Sequence, residues 1–394
     1  MEIPFLDRGF RPFFLFGSIY AAVLIFAWVF IFQSTIEAPS TWSEPILWHG
    51  HEMIFGFTIA IIAGFLLTAV PNWTGSKPAK NVTLILLSSV WVLGRIGFWI
   101  PNTPEIILAI IDLAFIPLLA GTLAIPIFKS KQKRNFSFIG ILTLLFIANL
   151  SMHLSALELI DIDPYLNSYI VVLLVMIIIS IVSARVIPFF TAASLQRIGK
   201  NVERADQTKI NLFATISLFA LIFSVVFTEL ESYITAIVAF IASALHLWRM
   251  KNWHVLKSFF DPLLWILHLG HLWLALGIFA LSLYSAGFIA EKSFALHILT
   301  IGCIGSMIIG MIARVSLGHT NRPLIIKPVI AFSFWLIQAS IITRLLGFIL
   351  NDIYYQNLVL ASGVLWSLSF TIYAVVYFPI LIAPEVKPRG LKIL

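Results

Sequence analysis

The chain has 394 residues, 60% of them hydrophobic and only 11% charged, with a mean hydropathy of +1.01; a soluble domain carries about 25% charged residues, so this is an integral membrane protein. The formal net charge of +7 does not point to nucleic acid, because the basic residues are spread through short loops instead of gathering on one solvent-facing surface. The single cysteine, Cys303, excludes an intramolecular disulfide and a thiolate cluster held by this chain alone, so any bound metal takes imidazole and oxygen ligands.

A helix needs about 20 apolar residues to cross the hydrocarbon core. Runs of that length predict twelve spans, near 13–33, 49–70, 82–100, 105–128, 136–158, 165–188, 209–228, 232–249, 262–287, 293–315, 328–350 and 356–382. The expected fold class is all-α: a polytopic membrane protein with its helices in one bundle, forming a single integral membrane domain over 1–394. Charged residues precede Phe10, and no short apolar segment with a small-residue cleavage site follows, so the first run is read as a retained span. Cytoplasmic loops keep Lys and Arg. Arg8 and Arg11, Lys77 and Lys80, Lys129 through Arg134, Arg185 through Lys209, Arg249 through Lys257, Arg314 through Lys327 and Lys387 through Lys392 fall on one side of the alternation. Lys292 stands on the other with Glu37, Glu44, Glu158, Asp161, Asp163, Glu229, Glu231, Glu291 and Asp352. The first side is assigned to the cytoplasm, with both termini. Arg95 and Arg344 remain inside spans near their outer ends, where snorkelling and pairing with a buried anion explain them equally well. No repeat of the histidine pattern marks two halves of a duplicated transporter.

The second span opens with Trp48-His-Gly-His-Glu-Met-Ile-Phe-Gly56. An ionisable side chain at a helix centre costs about 2.5–3.5 kcal/mol on insertion scales, and less near the ends. Three within four residues point to metal or haem ligation. At 1.5 Å per residue, His153 and His297 lie about 7 Å and 6 Å in from the outer ends of spans five and ten, in the same layer as His49 and His51. His268 and His271 share one face of span nine, toward the cytoplasm, and His319 follows span ten. Single histidines near span ends are more often hydrogen-bonded than ligating, so His153, His246 and His254 are read as structural. For the His268/His271 pair, ligation and structural pairing stand about even. His49 and His51 point about 200° apart on a regular helix; either their turn is open or they serve different sites. The small residues Gly56, Ala60 and Gly64 in span two, and Gly302, Gly305 and Gly310 in span ten, allow close helix packing or give clearance to a flat cofactor.

Phe10-Arg-Pro-Phe-Phe14, the Trp48–Gly56 stretch and Gly64-Phe-Leu-Leu-Thr-Ala-Val-Pro-Asn-Trp-Thr-Gly75 resemble the amino-terminal signature of the NnrS family. Arg185-Val-Ile-Pro-Phe-Phe-Thr191, Leu267-His-Leu-Gly270, Leu296-His-Ile-Leu-Thr-Ile-Gly-Cys-Ile-Gly305 and Arg314-Val-Ser-Leu-Gly-His-Thr-Asn-Arg322 continue the resemblance in order along nearly the whole chain. The chain departs from the family pattern at His271, where an aromatic residue is common, and at Asn321, where glycine is expected. The resemblance implies a bacterial inner-membrane protein with twelve spans that binds haem, of type b, and copper, and that responds to nitric oxide in denitrification or nitrosative stress. It implies His49, His51, His268, His297 and His319 as metal ligands, with His271 beside them. His49, His51 and His297 would form an outer site, and His268, His271 and His319 an inner one. Glu52 would orient a ligating imidazole or relay a proton. Arg11, Arg185 and Arg314, with Arg8, would pair with haem propionates.

Three functions remain open on the sequence. The first is an oxidoreductase or sequestering protein for nitric oxide, with an unidentified electron donor; Glu52 and Asp112 alone in the spans make no long proton wire. The second is a transporter or metal-handling channel, and the third a haem-binding sensor or assembly factor without turnover. Membrane lipid is the expected surrounding in each case.

Overall fold

The computed structural model describes residues 3–39, 42, 44–203, 205–350 and 352–386; the basic tail Lys387 through Lys392 lies outside the described residues. Among them there is no strand. Backbone groups in hydrocarbon must be satisfied within their own segment, which leaves the helix as the available spanning form for an open chain. The principal helices are α1 (Phe10–Phe32), α2 (Pro45–Thr74), α3 (Val82–Gly97), α4 (Glu105–Lys129), α5 (Phe136–Ala156), α6 (Pro164–Arg197), α7 (Thr208–Thr228), α8 (Tyr233–Met250), α9 (Pro262–Ser285), α10 (Lys292–Gly318), α11 (Pro328–Ile349) and α12 (Asp352–Ile382). Eleven are long and apolar enough to cross a membrane, and α3 is a shorter apolar helix.

Local sequence sets several of the helix starts. Asp163-Pro164 and Asp261-Pro262 open α6 and α9 in the same way: the aspartate side chain accepts from the backbone N–H two residues on, and proline takes the first helical position, where no N–H is needed. Gly75 ends α2 at φ +68°, a left-handed C-terminal cap that glycine adopts without a Cβ penalty.

α2 and α10 occupy the centre of the bundle. Their most apolar stretches are 83% and 78% buried, against 33% for α7, which turns Phe213, Phe219, Phe223 and Phe227 outward. The small stripes are where neighbours come close. A Cβ on Gly56 would meet Tyr20 at 2.7 Å and one on Gly64 would meet Phe14 at 2.9 Å, both from α1. On α10, Gly302 faces Trp273, Gly305 faces Trp366 and Gly310 faces Ile266. These glycines therefore serve helix packing.

The loops join in two separate sets. Lys80 pairs with Asp7 at 2.6 Å, Gln132 donates to Trp73 O at 2.6 Å, Gln207 donates to Arg249 O at 2.8 Å, and Arg8 pairs with Glu385 at 3.2 Å. All lie on the Lys/Arg-rich side. On the opposite side Trp42 donates to Glu105 at 3.2 Å, Tyr165 to Glu44, Tyr169 to Lys292 O and Tyr284 to Glu231. The polytopic alternation read from charge thus has a counterpart in tertiary contacts.

Candidate functional site

α2 begins as a regular helix over Pro45–His51 and then widens into a π-helical segment, Glu52–Thr58. α10 does the same, with Lys292–His297 followed by the π segment Ile298–Gly305. Such segments are rare and recur at functional sites. In both helices the π segment starts on the residue after a candidate histidine. The indole Nε1 of Trp91 donates to Gly56 O at 2.9 Å within the first of them.

Because the turn carrying His49 and His51 is regular, the two rings leave α2 in different directions. His51 is fully buried in a polar cluster drawn from α1 through α5. Glu52 Oε1 accepts from His51 Nδ1 at 2.9 Å and from Arg95 Nη1 at 2.8 Å, while Glu52 Oε2 accepts from the Tyr20 hydroxyl. Arg95 Nη2 also donates to Asp112 Oδ1. The other oxygen, Asp112 Oδ2, lies 3.3 Å from His51 Nε2 and 3.1 Å from His153 Nε2, and accepts from Asn149 Nδ2 at 2.7 Å. His153 Nδ1 donates to Glu105 Oε1 at 3.0 Å. The ligand atoms of His51, Asp112 and His153 all lie within 4.8 Å of one another, and among the described residues these three could hold a metal ion.

His49 faces the other way. Its ring stacks on Trp28 of α1, with centroids 4.1 Å apart and planes 5° from parallel, and its Nδ1 is buried without a hydrogen-bond partner. It lines a cavity of about 300 Å³, whose other walls include Trp28, Trp366, His297, Arg344 and Tyr355. That volume lies at the lower end of small-molecule sites. Glu291, Lys292 and Tyr165 place part of its lining on the Lys/Arg-poor side. His297 Nδ1 donates to Ser293 O at 2.7 Å. Arg344 stands over the Phe348 ring at 4.1 Å and donates to the Tyr355 hydroxyl at 3.1 Å, while its Nη1 is buried without a partner. The aromatic contacts Trp28–Phe32, Phe32–Tyr355, Tyr355–Phe348 and Phe348–His297 link the His49 and His297 ends of the lining.

The expected outer trio is therefore divided. His49 and His297 share the cavity, and His51 joins His153 and Asp112 on the far side of α2. Similar depth does not bring side chains together when their rotation about the helix axis differs. Glu52 touches the His51 ring and does not line the cavity. The inner histidines also take separate partners. His268 Nε2 lies 3.0 Å from Thr191 Oγ1, His271 Nε2 accepts from Arg249 Nη2 at 3.0 Å, and the His319 ring lies against Phe10. His246, read as structural, is fully buried beside His271 at 3.5 Å. His254 is half-exposed near Glu203 O.

The four arginines expected to meet haem propionates, Arg8 with its partner Glu385 among them, do not line the cavity. Arg11 donates to Leu381 O and Ala383 O at 2.8 and 2.6 Å, Arg185 donates to Asn135 Oδ1 at 3.0 Å, and Arg314 stands 3.9 Å over the Phe190 ring. Arg344 is the arginine that lines it. Arg95 pairs with Glu52 and Asp112, which decides between snorkelling and a buried anion. His153, read from the sequence as structural, belongs to this cluster, and Asn149, which carries no sequence signal of its own, joins it. Their spacing of four on α5 puts them on one face, and that face meets the in-span Asp112.

Fold and site together define a polytopic all-α membrane protein with a buried His/Asp cluster and, across α2, an apolar cavity holding two further histidines. The profile of the NnrS protein family matches residues 4–385, nearly the whole chain, and the chain belongs to that family. No curated protein matches it.

Proposed function

We propose that the protein binds haem and copper in the bacterial inner membrane and handles nitric oxide, protecting against nitrosative stress, with haem held in the cavity between α2, α10 and α11. The observation that carries this reading is the pair of imidazoles on one mostly apolar cavity, His49 from α2 and His297 from α10, with Arg344 beside them. Donation from His297 Nδ1 to the Ser293 carbonyl leaves Nε2 with its lone pair free, the tautomer that metal-ligating histidines adopt. The parallel stack on Trp28 fixes the His49 ring plane. Residues and group fit: two imidazole nitrogens for iron, an apolar wall for a macrocycle, and the unpartnered Arg344 Nη1 for a propionate. Haem supplies an iron to which nitric oxide binds. The chain's part is to fix both rings, limit water and neutralise the propionate. Copper enters the reading from family membership, with nitrogen and oxygen ligands, since the only cysteine, Cys303, is buried within α10.

The test is an optical spectrum of the purified protein, reduced and then exposed to nitric oxide. A Soret band that shifts on exposure is expected for the wild type. It should be lost or displaced in His297→Ala and unchanged in His254→Ala. Absence of a Soret band together with absence of iron from the wild type would contradict the reading, as would equal loss in both variants.

A further inference from the structure

We propose that the cluster around Asp112 is a binding site for a divalent late first-row transition cation, of the Cu²⁺ or Zn²⁺ class, held by His51 Nε2, His153 Nε2 and Asp112 Oδ2. The inference is carried by these residues and stands apart from the haem cavity. Both rings have their Nδ1 against a carboxylate oxygen, Glu52 for His51 and Glu105 for His153. An ionised carboxylate only accepts, so each Nδ1 carries the proton and each neutral ring turns its Nε2 lone pair inward. Inward lie only more acceptors: Asp112 Oδ2 at 3.3 and 3.1 Å, and Asn149 Oδ1 at 2.9 Å from His51 Nε2. The Asn149 amide is oriented by its own donation to Asp112 Oδ2. Lone pairs facing lone pairs need positive charge among them.

Counting formal charge gives the same answer. With neutral imidazoles, the Arg95 guanidinium is, among the described residues, the one cation beside three carboxylates, Glu52, Asp112 and Glu105, so the cluster is two positive charges short. A divalent ion makes up that difference. Two ligand atoms bound at about 2.1 Å and subtending roughly 100–110° lie about 3.2–3.4 Å apart, close to the two imidazole–carboxylate separations. The outer partners also match: ligating imidazoles donate their other N–H to a carboxylate, which fixes the tautomer and raises ligand basicity. Two imidazoles with a carboxylate favour Cu²⁺ and Zn²⁺ over earlier divalent ions. Beside the cluster, Arg95, Asp112, Asn149 and Phe55 line a hollow of about 10 Å³, near the minimum for one water molecule and so suited to a fourth ligand. Glu105, with 14% of its side chain exposed, gives the ion a way in from the Lys/Arg-poor face.

The competing arrangement is two protonated imidazoles, which would fill the same charge deficit with no metal. The experiment uses the full chain in detergent, stripped with chelator, loaded separately with Cu²⁺ and Zn²⁺, desalted, and measured for bound metal, with electron paramagnetic resonance on the copper sample. One equivalent per chain is expected, with nitrogen hyperfine structure from two imidazoles. Asp112→Asn and His153→Gln should each leave less than about a tenth of an equivalent, Glu105→Gln should weaken affinity about 10- to 100-fold, and His297→Ala should retain the full equivalent. Variants are compared only where size exclusion gives a single peak at the wild-type position; Glu105→Gln, the mildest change, gives a graded readout in an intact cluster. Failure of the folded wild type to hold either ion would overturn the proposal in favour of the two protons. So would a wild-type copper signal in His153→Gln. Loss of the Soret band with metal retained would count against the haem reading alone.

Discussion

Of the five arginines buried among the described residues, Arg95 and Arg249 each lie in a polar cluster with two histidines, and their surroundings are opposite in sign. Arg95 lies between Glu52 and Asp112, with His51 and His153 beyond them. Arg249 donates to His246 Nδ1 at 3.2 Å, His271 Nε2 at 3.0 Å and Ser180 Oγ at 3.2 Å, and stands 5.3 Å from the Trp253 ring centre. No carboxylate pairs with it among the described residues. The first cluster has carboxylates in excess and imidazole lone pairs without donors, which invites a cation. In the second, the guanidinium already occupies the lone pairs of His246 and His271, and its charge repels a metal ion. Two histidines near one another are therefore a poor guide to a metal site until the surrounding charge has been counted.

The largest expected effect tests that contrast directly. Arg95→Leu strands two buried carboxylates and should destabilise the protein by about 3–5 kcal/mol. Arg249→Leu leaves only neutral groups without a donor, at about 1–3 kcal/mol. Thermal unfolding in detergent should rank them in that order, and an equal or reversed ranking would break the comparison. Next comes Gly56→Ala, whose Cβ would lie 2.9 Å from Arg95 Nη1 and 2.7 Å from Tyr20 Cε1. It should cost about 1–3 kcal/mol by crowding the cluster, whereas Gly140→Ala, with open space around it, should be neutral or slightly stabilising in the same assay.

Arg344, which like Arg249 has no carboxylate partner among the described residues, sharpens the contrast because it borders a cavity. Replacing it with leucine should weaken haem binding about tenfold, the loss of one charge-assisted hydrogen bond, read by haem titration of the apoprotein. The smallest effect concerns the Lys/Arg-rich face, where burial, helped by the nearby Arg8, holds the His319 imidazole below its usual value. Stability from a depressed base is full above the unfolded value near 6.5 and is lost as pH falls toward the folded one. The unfolding midpoint should therefore drop below about pH 6.5, and less steeply in His319→Phe, which keeps the ring against Phe10.

Hydropathy and the sorting of Lys and Arg made the membrane architecture legible, because both are set by the solvent around each residue and need no knowledge of partners. Helical rotation likewise allowed His49 and His51 to serve different sites. Depth along a span did not reveal which side chains meet. Depth alone puts His49, His51, His153 and His297 in one layer, and what separates them is rotation about the axis and the choice of neighbour: α2 against α4 and α5 for His51, α2 against α1 for His49. His153 looked structural because its partner is Asp112, 41 residues away in sequence. The anion partners of Arg95 were present in the sequence as the in-span Glu52 and Asp112. Counting in-span charges of both signs together would have paired them.

The most direct test of two centres on one helix compares the histidines two residues apart. His49→Ala and His51→Ala are purified in parallel and each is measured for Soret absorbance and for bound copper. His49→Ala should lose or shift the Soret band and keep its copper, and His51→Ala should do the reverse. Joint loss of both signals in either folded variant would contradict the division of α2 between two centres.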